Sequence, residues 1–384
     1  MALRSDTYDF VFLGVGCAAQ SLLVRLLDSE AFADARILLI DQEEKKHNDR
    51  TWCFWEKKTG YFDSVVCKRW NTLSFKHDSY RADFSVLPYQ YKMIRSADFY
   101  SYTANKINQC AGVDVVYGAV KSFSRDGNSL WIFLENESIQ IDANYVFNSI
   151  PALGVEQKGS VQLLQHFKGW FVETEVPFFD DSKATLMDFT ISQEKGTAFM
   201  YVLPLSSTRA LIEYTFFTES ILTDEEYETG LRSYLSKSLG LNSYTILEKE
   251  FGVIPMNDNH FSFESNGVYN IGMIGGQTKG STGYTFQFIQ KRMEALSKLI
   301  IAGKPLIQLK NESTRFLFYD RVLLRVLAYG YYPGAAVFAK LFSKNKPQKI
   351  FKFLDNETCL SEELSIISKL PWVPFLKALV KRPS

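Results

Sequence analysis

Residues 7–29 read TYDFVFLGVGCAAQSLLVRLLDS, and residues 35–41 read ARILLID. The first segment passes from a short apolar stretch into a G-x-G-x-x-A turn, and then into a run with the leucine spacing of a helix. The second segment is another apolar stretch, and it ends in an acidic residue. This order predicts a β-turn-α-β unit of a doubly wound α/β fold.

Each small residue of this turn has a physical role. Gly14 permits the tight turn, Gly16 lets a pyrophosphate approach the backbone, and the small side chains of Ala18 and Ala19 let the helix pack closely. The unpaired N–H groups of the helix N-terminus attract anions, and Asp41 is placed to bind a ribose 2′-OH. We therefore expect an adenine dinucleotide at this turn. The motif does not distinguish FAD from NAD, and a doubly wound domain without nucleotide is the alternative.

Composition limits the possible partners. The 43 Lys and Arg residues balance the 43 Asp and Glu residues, so no global basic field favours nucleic acid. The 5 cysteines include no C-x-x-C pair, and the 4 histidines show no ligand spacing. We therefore expect neither a disulfide framework nor a metal site. The 31 Phe, 20 Tyr and 6 Trp residues suit a large apolar ligand, although an aromatic-rich core explains them equally well.

Length and hydropathy bear on domain organisation and location. A chain of 384 residues suggests about two domains. The N-terminus resembles no signal peptide, and no apolar run reaches the roughly 18 to 20 residues of a spanning helix. We therefore expect an intracellular protein that is soluble or peripheral to a membrane.

The pattern along the chain predicts four segments. Residues 1–155 form the first part of the nucleotide-binding domain, and residues 156–255, with several long strands, form a second, mostly antiparallel sheet. Residues 256–310 return to the nucleotide-binding domain with a glycine-rich turn and a helix. Residues 311–384 form a helical C-terminal region.

Further residues could contact a cofactor. The aromatic segment TWCFWE follows a charged loop at a position that faces the cofactor in nucleotide-binding domains, although ordinary core packing also explains it. Arg95 precedes a predicted helix and could reach a phosphate, or could lie on the surface. Glycine-rich turns into helices bind anions, but they also serve as plain caps. The candidate cofactor contacts from these segments are Arg50, Thr51, Trp52, Arg95, Gly275, Gly276, Lys279, Ser281, Thr282, Gly283 and Tyr284.

Two carboxyl groups are candidates for acid chemistry. The predicted strand from Ala210 to Phe217 is apolar on both faces except for Glu213. Burial without a cation raises the pKa of a carboxyl group and makes it a general acid. Asp188 has the same character on a neighbouring predicted strand, and two such acids could relay a proton. The alternative is a strand glutamate that faces solvent or pairs with a base.

The C-terminus, PWVPFLKALVKRPS at residues 371–384, combines three cations with an apolar helical face and has no acidic residue. A basic amphipathic end is typical of a helix that lies on a membrane surface. A helix docked on the protein core is the alternative.

Several of these stretches together resemble the lycopene β-cyclase family of carotenoid biosynthesis, in the form found in Bacteroidetes. The resemblance covers nearly the whole chain, and the TWCFW, LPL-x4-ALIEYT and STGYTF motifs are its most specific parts. The matching stretches are residues 7–23, 35–41, 48–56, 201–217, 280–289, 316–324 and 351–364.

The resemblance implies a glutathione-reductase-type flavoprotein fold with FAD that acts in its reduced form, and NAD(P)H as the electron donor. It implies acid-catalysed closure of the ψ ends of lycopene, or of a related linear carotenoid, to β-ionone rings without net redox change. The general acid of the family falls on Glu213, and the aspartate of its M-D pair falls on Asp188. A lipid-borne substrate also implies a cytoplasmic protein that associates peripherally with the inner membrane through its C-terminal region.

The chain departs from the family pattern at three places. Tyr214 stands where many relatives carry a second acid, and residues 148–151 (NSIP) replace an acidic, glycine-rich segment. Gly275 and Gly276 stand where many flavoproteins have Gly-Asp. Two other functions remain open on the same fold: an FAD-dependent monooxygenase or prenyl reductase acting on an apolar isoprenoid, and a non-catalytic carotenoid- or lipid-binding protein that keeps flavin as a structural group.

Overall fold

Two large β-sheets and one small sheet form the framework of a computed structural model, which describes residues 6–150, 160–309 and 313–380. The strands before residue 150 are β1 (Thr7–Leu13), β2 (Ile37–Asp41), β3 (Thr51–Glu56), β4 (Lys68–Trp70), β5 (Thr72–His77), β6 (Tyr80–Ser85), β7 (Gln90–Arg95), β8 (Val113–Tyr117), β9 (Ser122–Asp126), β10 (Ser129–Phe133) and β11 (Ser138–Asn148). The later strands are β12 (Gln162–Glu173), β13 (Lys183–Asp188), β14 (Thr197–Pro204), β15 (Arg209–Thr218), β16 (Thr245–Asn257), β17 (Glu264–Ser265) and β18 (Val268–Asn270).

The helices fall between the strands in the first part of the chain and follow one another at its end. They are α1 (Cys17–Leu27), α2 (Ser96–Ile107), α3 (Asp224–Ser233), α4 (Phe286–Ile301), α5 (Thr314–Ala328), α6 (Gly334–Lys344), α7 (Pro347–Leu354), α8 (Leu360–Ile367) and α9 (Trp372–Val380). The predicted helical C-terminal region is therefore present. Within the three described ranges, no helix is both long enough and apolar enough to span a bilayer.

The first sheet has the order β17-β18-β11-β1-β2-β8, and β9 and β10 extend it beside β11. Strands β11, β1, β2 and β8 are parallel to one another. Strand β1 lies between β2 and β11, so the strand order reverses at the carboxyl end of β1. Ligands of such sheets bind at this kind of position. The predicted β-turn-α-β unit is confirmed, and its glycine-rich turn lies at this crevice.

The second sheet has the order β16-β12-β15-β14-β13-β5-β6 and is antiparallel except for the parallel pair of β13 and β5. Its last two strands come from residues 72–85, so this sheet also draws on the segment predicted as 1–155. The predicted boundaries at 155/156 and 310/311 lie outside the described residues.

Helices cover both faces of the second sheet. On one face, Met200 and Ile212 pack against Leu231 near the end of α3. On the other face, Leu211 and Phe217 belong to the core that includes side chains of α6 and α7. Strand β15 is therefore covered on both sides, as its two apolar faces predict, and Glu213 on it is half-buried.

The sequence pattern predicts a strand over residues 269–274, but the strand does not continue past Asn270. Strand β18 ends there, and Gly272 to Gly275 form one turn of 3-10 helix. The side chain of Gln277 fixes this turn, because its Oε1 accepts a hydrogen bond from the N–H of Gly272 and its Nε2 donates to the carbonyl of Gly275 at 2.8 Å. Gly272 has a φ of +70°, which glycine adopts without strain.

Candidate active site

The glycine-rich loop after β1 leaves room for an anion. Gly14 has a φ of +82°, and the N–H of Val15 donates to Asp41 Oδ2 at 2.7 Å, which ties the loop to the end of β2. A Cβ placed on Gly16 would meet no atom within 4 Å. The first turn of α1 has no acidic residue to neutralise its N–H groups. This open helix N-terminus fits the pyrophosphate of a dinucleotide.

The returning segment packs directly on this loop. A Cβ on Gly272 would lie 3.3 Å from the Cβ of Ala18, so both residues must be small for the segment to approach. Ser149 Oγ donates to the carbonyl of Gly14 at 2.9 Å. Ala19 is fully buried in the core of the same unit. Gly14, Ala18 and Ala19 therefore shape the cofactor crevice through packing.

A cavity of about 150 Å³ joins three separately predicted segments. Its walls include Arg50, Thr51 and Trp52 at the start of β3, Glu213 on β15, and Gly283 and Tyr284 of the glycine-rich turn. A larger open cavity of about 830 Å³ is lined by residues 56–61 and one side of α4, with charged side chains of both signs. The smaller, aromatic-walled cavity is the better site for acid chemistry on an apolar molecule.

Two features beside this cavity fit a bound cofactor. Gln165 Oε1 and Thr282 Oγ1 are buried, and neither has a hydrogen-bond partner among the described residues. Gly283 has a φ of +69°, and a Cβ there would come within 2.1 Å of Gln165 Oε1. Gly276, with a φ of +76°, ends the preceding 3-10 turn. The polar atoms could therefore receive a ligand at a place where a larger side chain would not fit.

Aromatic rings form one wall of the site. Trp52 stacks on Phe286 with ring centroids 5.4 Å apart and meets the ring of Phe99 edge-on. Burial raises the pKa of the Tyr284 and Tyr201 phenols, so both are neutral. Arg50 is exposed, and its backbone N–H donates to Ser96 Oγ at 3.0 Å. Neutral aromatic walls can stabilise a cation and exclude water.

Glu213 lies in a row of residues that crosses four strands. Its neighbours in register are Tyr201 on β14 and Gly169 on β12, and Gly169 in turn pairs with Glu250 on β16. A Cβ on Gly169 would lie 2.9 Å from Cγ of Glu250 and 2.9 Å from Cδ1 of Leu211. The glycine therefore leaves the space in which the Glu250 side chain reaches towards Glu213.

The two glutamates form a carboxyl pair beside Gly169, where a Cβ would lie 3.1 Å from Glu250 Oε1. Thr215 Oγ1 donates to Glu213 Oε1 at 2.7 Å, and Thr51 Oγ1 donates to Glu250 Oε2 at 2.6 Å. Burial raises the pKa of Glu213 well above its ordinary value, and the nearby charge of Glu250 raises it further. Burial also raises the pKa of Glu250. The raised pKa favours the protonated form of Glu213, which is the form that a general acid requires.

The predicted proton relay between Asp188 and Glu213 is wrong. Asp188 pairs in register with Met200, so its side chain points to the α3 face of the sheet, whereas Glu213 points to the opposite face. Its Oδ2 accepts a hydrogen bond from the Tyr234 hydroxyl at 2.7 Å and lies 3.4 Å from Lys76 Nζ. Glu250, which the sequence pattern does not single out, occupies the place predicted for Asp188.

Three predicted cofactor contacts have other partners. Arg95 forms an ion pair with Glu248 and lies over the ring of Phe171. The other two residues contact the C-terminal helical region. Lys279 Nζ lies 2.7 Å from Asp320 Oδ1, and Ser281 Oγ donates to the same oxygen at 2.6 Å. The side chains of Lys279 and Ser281 thus tie the glycine-rich turn to α5 instead of facing the crevice.

Comparison with known proteins is consistent with this geometry. The model of a family described as Lycopene cyclase protein matches residues 9–380. A lycopene beta-cyclase from Pantoea ananas is 24% identical over 394 aligned residues, covering 97% of both chains.

Two solved structures share the fold at 12% identity. A geranylgeranyl bacteriochlorophyll reductase-like protein from Thermoplasma acidophilum has a TM-score of 0.60 and covers 98% of this chain and 96% of its own. A flavoprotein/dehydrogenase from Cytophaga hutchinsonii has a TM-score of 0.62 and covers 97% of this chain and 98% of its own. The predicted fold class is thereby confirmed.

Proposed function

The chain belongs to the lycopene cyclase family, and we propose that it is a flavin-dependent lycopene β-cyclase with Glu213 as its general acid. The placement of Glu213 carries this proposal: its carboxyl group faces an aromatic-walled cavity beside the glycine-rich loops, where burial raises its pKa well above the ordinary value. Conversion of lycopene to γ-carotene and then β-carotene, without net consumption of reductant, is the reaction expected. It would place the protein among the intramolecular lyases, a subclass of isomerases.

FAD is the proposed cofactor, and the chain's own residues supply the fit. Gly16 opens the N-terminus of α1 to the pyrophosphate, Asp41 marks the ribose end, and Thr282 and Gln165 offer polar atoms at the other end of the crevice. When bound in its reduced form, the flavin supplies negative charge that stabilises a cation nearby. NAD(P)H is the proposed source of its electrons.

The protein residues perform the acid chemistry. The O–H bond of Glu213 breaks as a C–H bond forms at C2 of the carotenoid end group, which leaves a cation at C1. The C5=C6 double bond attacks C1 and closes the ring, and loss of a proton from C6 restores neutrality. Tyr201, Tyr284 and Trp52 line the cavity in which this cation forms and keep water from quenching it.

Helix α9 is the proposed membrane contact. Ala378 is fully buried, and Arg325 Nη1 donates to its carbonyl at 3.4 Å, so the helix docks on α5. Its other side exposes Trp372, Val373, Leu376, Leu379 and Val380. The two alternatives drawn from the sequence are therefore compatible, because one side of α9 packs on the protein and the other is exposed in the described part of the chain. The cations Lys381 and Arg382 lie outside the described residues.

Replacing both Leu376 and Val380 by glutamate is expected to lower affinity for anionic lipid vesicles at least about tenfold, since each exposed aliphatic side chain loses its apolar burial in the bilayer. Vesicle co-sedimentation measures the effect. Leu247→Glu, at a side chain that is 50% exposed on β16, is the matched control and should bind like the wild type. Equal binding by the double variant and the wild type would remove α9 from the membrane contact.

An isoprenoid reductase is the second candidate, because the fold also matches that of a reductase-like protein. A reductase transfers two electrons for each double bond that it saturates, whereas cyclisation only rearranges bonds. A monooxygenase would likewise consume reductant together with oxygen. The ratio of reductant consumed to product formed therefore separates these functions from a cyclase.

A further inference from the structure

Glu250 is a buried carboxyl group that the chemistry described so far does not use. Its side chain is 6% exposed and lies behind Glu213, and it is not among the described residues that line the cavity. Its Oε1 atom is buried and accepts no hydrogen bond from an N–H or hydroxyl group of the described residues. Glu250 Oε1 nevertheless lies beside Gly169, where a Cβ would come within 3.1 Å of it. Because Gly169 has no side chain, the Glu250 carboxyl group can approach Glu213 there.

We propose that Glu250 is a positioning residue that holds the catalytic proton on Glu213, the two carboxyl groups sharing one proton and one negative charge. This inference rests on the proposed function, since it concerns how the acid of that reaction is kept ready. Glu213 would be the member of the pair that touches substrate, and Glu250 would act only through it.

The hydrogen bonds around the pair support a single shared proton. Carboxylates accept hydrogen bonds but cannot donate them, so two carboxyl groups bond to each other only when one is protonated. Two negative charges so close in a buried site would also repel each other strongly. The Thr51 hydroxyl and the positive charge of Arg95 both stabilise a negative charge on Glu250. The proton therefore resides on Glu213.

The other titratable groups around the pair leave this arrangement intact. They come from the loop before β3, from β3, β7, β14 and β16, and from the glycine-rich turn, and they are Arg50, Cys53, Tyr91, Arg95, Tyr201, Glu248 and Tyr284. Burial raises the pKa values of Cys53, Tyr91, Tyr201 and Tyr284, so these groups are neutral at pH 7. Arg95 and Glu248 pair with each other, and Arg50 is exposed.

The shared proton accounts for a reaction that neither consumes nor releases a proton overall. When Glu213 gives its proton to C2, the pair briefly carries two negative charges. The proton lost from C6 then returns to the Glu213 carboxylate, which restores the O–H bond and the single charge. The charge on Glu250 favours this return, because it makes the Glu213 carboxylate a stronger base. No outside acid or reductant enters the balance.

The test is the pH dependence of Glu250→Gln. The glutamine removes the negative neighbour and can donate an N–H to Glu213, so both changes stabilise the Glu213 carboxylate and lower its pKa. Activity needs the protonated acid and is lost as pH rises through that pKa. We therefore expect the basic limb of the rate profile to move at least about one pH unit lower. The infrared band of the protonated carboxyl group can be titrated in purified protein without lycopene. The pH at which this band disappears should fall by the same amount.

Thr51→Val keeps the test decisive if Glu250→Gln fails to fold. Loss of the hydroxyl donor destabilises the charge on Glu250, so the pair should release its proton at a higher pH. This shift is opposite in direction to the shift expected for Glu250→Gln. Glu219→Gln, at an exposed residue just after β15, is the control and should leave both profiles unchanged. Wild-type profiles in Glu250→Gln, or in Thr51→Val if that variant alone folds, would overturn the inference.

The outcome for the proposed function is separate. If Glu213→Gln keeps its turnover, Glu213 is not the acid and the proposed function fails in its mechanism. If Glu213→Gln is inactive and lacks the infrared band while Glu250→Gln titrates like the wild type, only the role of Glu250 is lost.

Discussion

Glu213→Gln is expected to lower the rate of lycopene cyclisation by about 10²- to 10⁴-fold, the contribution typical of a positioned general acid. The amide has nearly the volume of the carboxyl group, its oxygen can accept from Thr215, and its N–H can donate to Glu250. The surrounding structure should therefore persist while the transferable proton is lost. Initial rates from chromatographic separation of the pigments measure the effect.

The control for this variant is the exposed Glu219→Gln, which changes the same functional group a few residues further along the chain. It should keep the wild-type rate. Thermal unfolding and FAD titration of Glu213→Gln should also match the wild type. A variant that binds FAD normally and still cyclises lycopene at the wild-type rate would remove Glu213 from the chemistry.

Gly16→Val is expected to lower FAD affinity at least about hundredfold, which corresponds to roughly 2.7 kcal/mol. The backbone at Gly16 has a φ of −81° and a ψ of −167°, which valine adopts readily, and a Cβ would meet no atom within 4 Å. The protein should therefore fold normally. The new side chain would fill the space through which a pyrophosphate approaches the N–H groups of α1.

Fluorescence titration of FAD with the apoprotein measures this loss, and thermal unfolding of the apoprotein shows whether the fold is kept. Gly16→Ala is the graded control, because its single methyl group fills less of the space and should weaken binding less. Unchanged FAD affinity in a folded Gly16→Val protein would show that the cofactor does not lie at this helix N-terminus.

The sequence predicts well those features that depend on local periodicity. The β1-α1-β2 unit, the hairpin of β14 and β15, and the two buried faces around Glu213 each follow from spacing within one segment. The helical C-terminal region likewise follows from composition. The strand predicted over residues 269–274 ends at Asn270, because the Gln277 side chain hydrogen-bonds to the backbone of Gly272 and Gly275 and stabilises a 3-10 turn there.

The composition of the site depends on strand register, which a single sequence does not specify. Asp188 and Glu213 read alike, yet the pairing of Asp188 with Met200 sends their carboxyl groups to opposite faces. Glu250 and Gly169 lie 81 residues apart in the sequence, and only their pairing across β12 and β16 shows why the glycine is needed. Glu248 and Glu250 alternate along β16 and therefore share one face of that strand. This spacing was the feature of the sequence that could have indicated a second carboxyl group near Glu213.

Tertiary contacts also change the role of cationic residues. Lys279 and Arg95 each look suited to a phosphate, but their partners Asp320 and Glu248 come from distant parts of the chain. Each cation already has a counter-charge within ion-pair distance, so neither needs a phosphate as its partner. The cofactor crevice therefore depends more on backbone N–H groups and glycines than on lysine or arginine side chains.

The most direct test of the account is anaerobic incubation of the purified protein with lycopene in liposomes, FAD and dithionite, followed by chromatography of the pigments. We predict conversion to γ-carotene and then β-carotene, with the flavin remaining reduced and no electrons consumed per ring formed. Unchanged lycopene in the presence of clearly bound, reduced flavin would contradict the account, as would a product whose formation consumes reductant in stoichiometric amount.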